Sequence, residues 1–439
     1  MWSTGAVLFG HVMRLGGNLV LARMLMPEVF GVMAIVITIG VVVNLLSDIG
    51  LHQSIVRHPR GNERTFLDTI FSAQAIRGGG LFLCQLLLAA GLYFANRAGW
   101  IPSGSTYAFP ELPFVLAVSA IGSVIHGFQS TKVHTAVRDL YLKRTVLLEL
   151  FTQATTIACM LLFAWWTRSI WSVVLAMLVS TILQTILSHT WLPGPNNRFA
   201  WDKEVLREVV SYGKWLLVSS ATGVIAMHAD RLILAAYADA RFLGLYSIAL
   251  GLAGAVSMVF ERLFGSVFLP AFAEVARTRP SELVPAYLRA RKRIDPVLLL
   301  SSGLLFALGP LIIDVLYDER YQEAGEILSI LALGLILYRF MLVQQIYFVV
   351  DRPQYHAVLN VLRLVASLTI IPAALAFGGL KWGLIAIALR ELPTLPLVFW
   401  FNAKHGLNKF SLEMYMLLFW VLGFGLGLGI DELAQWVRA

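Results

Sequence analysis

"GNLVLARMLMPEVFGVMAIVITIGVVVNLLSDIGLHQSIV", residues 17–56, joins the end of one apolar run to the whole of a second. Each run, 2–22 and 29–56, is long enough to cross a hydrocarbon layer, which takes roughly 20 mostly apolar residues. The connection "ARMLMPE", 22–28, is short enough to return the second run beside the first as a helical hairpin. The rest of the chain repeats this pattern. Of its 439 residues 58% are hydrophobic and 14% charged, where a soluble protein carries about 25% charged residues. Mean hydropathy is +0.75. These values describe an all-α polytopic membrane protein. Cys84 and Cys159 lie inside apolar runs and suggest neither a disulfide framework nor a metal site.

Thirteen runs read as spans: 2–22, 29–56, 66–95, 109–131, 146–167, 169–192, 213–238, 242–271, 295–317, 326–350, 354–377, 380–401 and 411–430. Arg14 and Asn18 interrupt the first, and no small-residue cleavage site follows, so it reads as retained rather than as a signal peptide. With the N-terminus cytoplasmic, the inward loops hold 20 of the 34 Lys and Arg residues and the outward segments seven. The inward set includes Lys132, Arg138, Lys214 and the run Arg289, Arg291, Lys292 and Arg293. This asymmetry sets the orientation. It also assigns the net charge of +8 to loops that meet anionic membrane lipids, not nucleic acid. The longest loops, near 193–212 and 272–294, are too short for an extramembrane domain.

A shift of 213 residues carries Leu21–Ala22 onto Leu234–Ala235, Gly31 onto Gly244, Asn18 onto Arg231 and Asp48 onto Glu261. This weak internal repeat suits the transporter plan of two related halves around a midplane site. It predicts an N-terminal lobe over 1–192, a cytoplasmic linker over 193–212 and a C-terminal lobe over 213–401. One extra transmembrane helix and a tail follow over 402–439. Six spans per lobe place the repeat axis along the membrane normal.

Seven basic residues lie deep inside spans, and all are arginine: Arg14, Arg77, Arg231, Arg262, Arg339, Arg363 and Arg390. A central Arg costs roughly 2.5–3.5 kcal/mol on insertion scales, so seven facing lipid would cost on the order of 20 kcal/mol. They are expected to face protein or water. Polar residues at spacings of three and four stripe single helix faces, as in His356, Asn360, Arg363 and Ser367 or Glu149, Gln153 and Thr156. Such stripes suggest a shared hydrated cavity. Asp230–Arg231, Glu261–Arg262 and Arg390–Glu391 are sequence neighbours. Adjacent helical residues point about 100° apart, so they do not simply neutralise each other. Two readings stand for Arg231: a tie to a neighbouring helix, or part of an anion site. Arginine is always charged and grips phosphate oxygens bidentately. His11 and His228 are either hydrogen bonders between helices or proton carriers. Asp48, Asp230 and Glu261 are either arginine partners or ion-coupling groups.

The pattern "LAR-x-L-x-P-E-x-F-G" from Leu21, followed by "D-x-G" at Asp48, resembles the start of bacterial polysaccharide transporters. These are the Wzx-type lipid-linked oligosaccharide flippases of the MATE-like superfamily. "ADRLILAAYADARFLGLYSIA" from Ala229 and "GPLIIDVLYDERYQEAGEILSILALG" from Gly309 extend the resemblance over nearly the whole chain. It implies a V-shaped, two-lobed helical transporter that needs no cofactor. Such a protein would flip an undecaprenyl-pyrophosphate-linked oligosaccharide across the inner membrane by alternating access, for O-antigen, capsule or exopolysaccharide synthesis. Other polysaccharide-assembly proteins are the further partners implied.

Two rivals share parts of this description. A MATE-type drug exporter has the same fold, but its cationic substrates favour an acid-rich cavity, against seven arginines and five acids here. An oligosaccharide polymerase or ligase would carry a substantial outward loop. The longest here, "ANRAGWIPSGSTYA", holds one charge, Arg97, and no nucleophile motif, phosphate loop or metal spacing occurs.

Overall fold

The computed structural model describes residues 2–438, with side chains undescribed at 2–4, 6–8, 142, 212, 214–222 and 266; Lys214, counted above among the inward cations, falls in that group. The chain forms two compact units, Met1–Val224 and Ile225–Ala439.

The first unit holds α1 (Trp2–Met24), α2 (Pro27–Leu46), α3 (Leu51–Arg57), α4 (Arg64–Arg97), α5 (Leu112–Gly127), α6 (Lys132–Arg138), α7 (Leu142–Thr167), α8 (Ile170–Thr190) and the start of α9 (Lys203–Tyr237). Pro27 opens α2, where the missing N–H is no loss, and Glu28 sits in the positive first turn. Leu51, Ile55, Phe66, Leu67 and Ile70 form a buried cluster with Val205 and Val209 of α9. One end of the unit is laced by polar groups. Arg138 Nη1 reaches Ile55 O at 2.7 Å and His58 O at 2.6 Å, satisfying carbonyls at the end of α3. The non-helical stretch 193–202 is pinned to α4 by Arg198 N–H to Asp68 Oδ1 at 3.0 Å and Ala200 N–H to Ser72 Oγ at 3.0 Å. Lys132, expected in an open loop, is buried and donates to His189 O and Asn196 Oδ1, both at 2.8 Å.

The second unit takes the rest of α9, then α10 (Ala240–Leu263), α11 (Leu269–Thr278), α12 (Leu283–Leu316), α13 (Ala324–Val343), α14 (Ile346–Val349), α15 (Pro353–Ala388), α16 (Leu395–Lys404) and α17 (Phe410–Arg438). Its core gathers Tyr287, Leu298, Phe340, Tyr347, Leu359 and Phe401. The expected loop 272–294 is mostly helix. A π-turn over Phe264–Phe268 continues α10 into α11, and α12 starts at Leu283. Phe264, Phe268 and Phe272, four apart, pack ring on ring at 6.0 and 6.2 Å, and Phe272 meets Tyr287 at 6.2 Å. That aromatic stripe gives the segment a face to bury, which a loop would lack. Arg291, expected among exposed loop cations, is 3% exposed.

Each of the thirteen apolar stretches falls on helix, but fewer qualify alone as spans. Among the described residues nine helices are long and apolar enough, or ten if α5 and α6, bent by 59°, count as one. The expected stretch 109–131 lies largely on α5, whose 16 residues reach only about 24 Å. The expected 354–377 and 380–401 fall on α15, broken at Gly379, a 3-10 turn and the ten-residue α16. Gly379 has φ 73°, which side-chain-bearing residues rarely adopt.

Candidate functional site

Buried charges in the second unit form two clusters. The first centres on Asp230 of α9, which is 3% exposed. The buried Tyr246 of α10 donates its hydroxyl to Asp230 Oδ2 at 2.5 Å. Arg390 Nη1, following α15, lies 3.7 Å from the same oxygen. A buried carboxylate needs this company, since an unpaired charge in a low-dielectric interior is costly. Next to Arg390, Glu391 turns elsewhere: Arg363 Nε and Nη2 grip its two oxygens at 2.5 and 2.9 Å. Arg363 also donates to Asn360 and, at 3.3 Å, to Gln344 Oε1. These neighbouring opposite charges, in the turn after α15, therefore split between different helices.

Asp230 and Arg231 split in the same way. Asp230 serves Tyr246 and Arg390, while the Arg231 Nε atom is buried with no hydrogen-bond partner among the described residues. No ion pair joins Arg231 to a described acid within 4.0 Å. His228, one turn back on α9, is half-buried. Glu261 of α10 accepts the Tyr338 hydroxyl of α13. Arg262 lies half-buried beside it and is engaged within the fold.

The second cluster was not foreseen. Arg291 and Asp295 of α12, Arg339 of α13 and Glu413 of α17 are all buried. Arg291 Nη2 meets Asp295 Oδ2 at 2.6 Å and Glu413 Oε2 at 3.0 Å. Arg339 Nη1 lies 3.2 Å from Glu413 Oε2 and 3.9 Å from Asp295 Oδ2. Two cations face two anions, so the quartet is neutral. The Arg339 guanidinium stacks 4.6 Å from the Phe340 ring centroid. The sequence did carry a signal: Arg291 and Asp295 are four apart, one face of a helix, ahead of buried Leu298, Leu299 and Ser302. The dense run "RARKRID" concealed which cation turns inward.

In the first unit, Arg77 of α4 closes the end of α2. Its Nε donates to Ser47 O at 3.0 Å and its Nη2 to Asn44 O at 2.5 Å and Asn44 Oδ1 at 3.0 Å. Asp48 Oδ1 accepts the Gly50 N–H at 2.9 Å, shaping the turn into α3. Arg14 is exposed on α1, and His11 is half-buried there and engaged with the fold. The Gln153 amide donates to Gly10 O, joining α7 to α1. No group of three or more His, Cys, Asp or Glu is placed to hold a metal among the described residues. Four of the seven predicted arginines, Arg77, Arg339, Arg363 and Arg390, thus have protein partners. Arg339 Nε and Nη1 are, like Arg231 Nε, buried without a hydrogen-bond partner among the described residues, but Arg339 stands in ion pairs with Glu413 and Asp295, whereas no described acid lies within ion-pair distance of Arg231.

Residues 20–326 match a family described as polysaccharide biosynthesis protein. The chain belongs to that family. No curated protein matches its sequence. This polysaccharide biosynthesis protein is similar in fold to lipid II flippase MurJ in an inward closed conformation, with TM-score 0.73 and 13% identity over 97% of this chain and 92% of that one. An inward-facing multidrug resistance MATE family transporter of the MOP superfamily gives TM-score 0.65 and 14% identity, over 90% of this chain and 94% of that one. An outward-facing MATE family transporter gives 0.51 and 16%, over 91% and 93%. The family member described here is a multi-pass membrane protein with the MurJ and MATE fold. The family is one of polysaccharide biosynthesis, and the fold is one that MurJ and MATE transporters share.

Proposed function

We propose that this protein flips an undecaprenyl-pyrophosphate-linked oligosaccharide across the bacterial inner membrane by alternating access, with its N-terminus cytoplasmic. The product would serve O-antigen, capsule or exopolysaccharide assembly. The observation that carries the reading is Arg231. Its partner by sequence, Asp230, is already engaged by Tyr246 and Arg390, and its buried Nε lacks an acceptor. A buried donor without an acceptor costs about 1–3 kcal/mol, which a phosphate oxygen would recover. Membership of a polysaccharide biosynthesis family supports the choice of lipid-linked sugar. The fold shared with a structure titled as a lipid II flippase supports transport of it. Arg14, exposed on α1, is a second candidate phosphate contact, and His228 and Asp230 are candidates for ion coupling.

Native mass spectrometry of the purified protein tests this with undecaprenyl pyrophosphate, undecaprenol and a cationic dye. Wild type is expected to retain the pyrophosphate lipid selectively. Arg231→Ala should weaken that binding roughly tenfold or more, and Arg231→Lys should restore it in part, since a point charge replaces a bidentate fork. Preference for the dye would favour a drug exporter. Equal retention of both lipids by both proteins would make Arg231 a helix tie and not an anion site.

A further inference from the structure

A groove of about 430 Å³ runs between α12 and α17 in the second unit. Lys292, Lys409 and Ser411 line it together with the apolar or aromatic Pro296, Leu412, Tyr415, Met416 and Phe419. Lys292 and Lys409 are exposed, and no ion pair joins either to a described acid within 4.0 Å. Around the groove Val297, Met414, Tyr415 and Leu418 each expose more than half of their surface, the composition of a face turned to lipid. Two ammonium groups sharing a groove with apolar side chains on such a face match one kind of molecule: a negatively charged headgroup with its first methylenes attached.

We infer that this groove holds an anionic phospholipid of the surrounding bilayer, with its phosphate against Lys292 and Lys409 and its acyl chain along Pro296, Tyr415 and Phe419. The volume suits a headgroup and the start of a chain, and is too small for a long polyprenyl tail. The site is separate from Arg231 and stands whether or not the flippase reading holds. It also has a structural neighbour. Arg291 precedes Lys292 in sequence and Glu413 follows Leu412, so the groove and the buried quartet draw on the same turns of α12 and α17. A lipid seated there bridges the two helices that the quartet joins from inside.

The test is thermal unfolding of the full-length protein in uncharged detergent, titrated with phosphatidylglycerol, phosphatidylcholine or inorganic phosphate. Phosphatidylglycerol is expected to raise Tm, with little effect of the other two. The double variant Lys292→Ala/Lys409→Ala should need roughly thirtyfold more phosphatidylglycerol for the same rise, about fivefold per lysine. Lys292→Arg/Lys409→Arg should respond as wild type does. Lys143→Ala/Arg144→Ala, which removes the same charge from exposed positions of the first unit, should also respond normally. Four outcomes overturn the inference. The groove variant responds at the wild-type lipid concentration, or the control variant loses the response equally. Inorganic phosphate alone reproduces the shift, or phosphatidylcholine matches phosphatidylglycerol.

Discussion

Arg363 and Glu391 show how a buried charge is held in this protein. The guanidinium fork meets both carboxylate oxygens, and Asn360 and Gln344 take further donors. Arg363→Leu leaves Glu391 charged, buried and short of donors, and should cost about 3–5 kcal/mol of stability. Arg363→Leu/Glu391→Leu removes both charges and should recover most of that loss. Thermal unfolding of the two variants checks it; equal losses in both would mean that the pair is not coupled. At this scale the sequence was partly legible. The i, i+3, i+4 stripe of His356, Asn360, Arg363 and Ser367 announced one polar face, and the structure keeps the first three in contact. Which acid Arg363 meets was not legible. Glu391 lies 28 positions away, and its neighbour Arg390 turns to Asp230 instead.

Among the elements, α17 depends on close backbone approach to α12. A Cβ on Gly423 would strike Leu300 O and lie 2.9 Å from Leu300 Cα, and one on Gly303 would strike Trp420 O and lie 2.6 Å from Phe424 N. Small residues at such crossings let two helices touch where lipid gives no hydrophobic incentive to pack. Gly423→Val should therefore push α17 off α12, at a cost of about 1–3 kcal/mol or more, because backbone cannot move aside as a side chain can. Gly425→Ala, on the same helix with open space beyond it, should be close to neutral. Proteolysis in the segment 405–409 ahead of α17 distinguishes them: faster cleavage is expected for Gly423→Val alone. Apolar runs located the helices but could not show how each one ends. The φ 73° break at Gly379 and the 59° bend between α5 and α6 are set by local backbone and packing, which hydropathy does not record. The loop expected over 272–294 failed for a related reason. Its charges mark it as exposed, while the four-residue spacing of Phe264, Phe268 and Phe272 carries helix only into its start, and that of Arg291 and Asp295 marks helix at its end.

For the whole molecule, the distribution of Lys and Arg makes an orientation prediction. Alkaline phosphatase fused after Gly104, in the outward loop between α4 and α5, should be active, and fused after Pro59, between α3 and α4, inactive. The reverse pattern would invert the topology and place the inward end of the transport cycle on the other face. Two repeated halves were suggested by the 213-residue shift, and two compact units, Met1–Val224 and Ile225–Ala439, are present. The unit boundary falls within α9, a continuous helix, where composition gives no sign of a division.

The neutral quartet of Arg291, Asp295, Arg339 and Glu413 bears on the transport cycle in terms of moving parts. Separating one member from a buried network costs about 3–5 kcal/mol, so at equilibrium a detached α17 would occupy roughly one molecule in a hundred to one in several thousand. The states that dominate therefore keep helices α12, α13 and α17 together as one block, and spin labels placed on them should keep their mutual distances while other distances in the protein change.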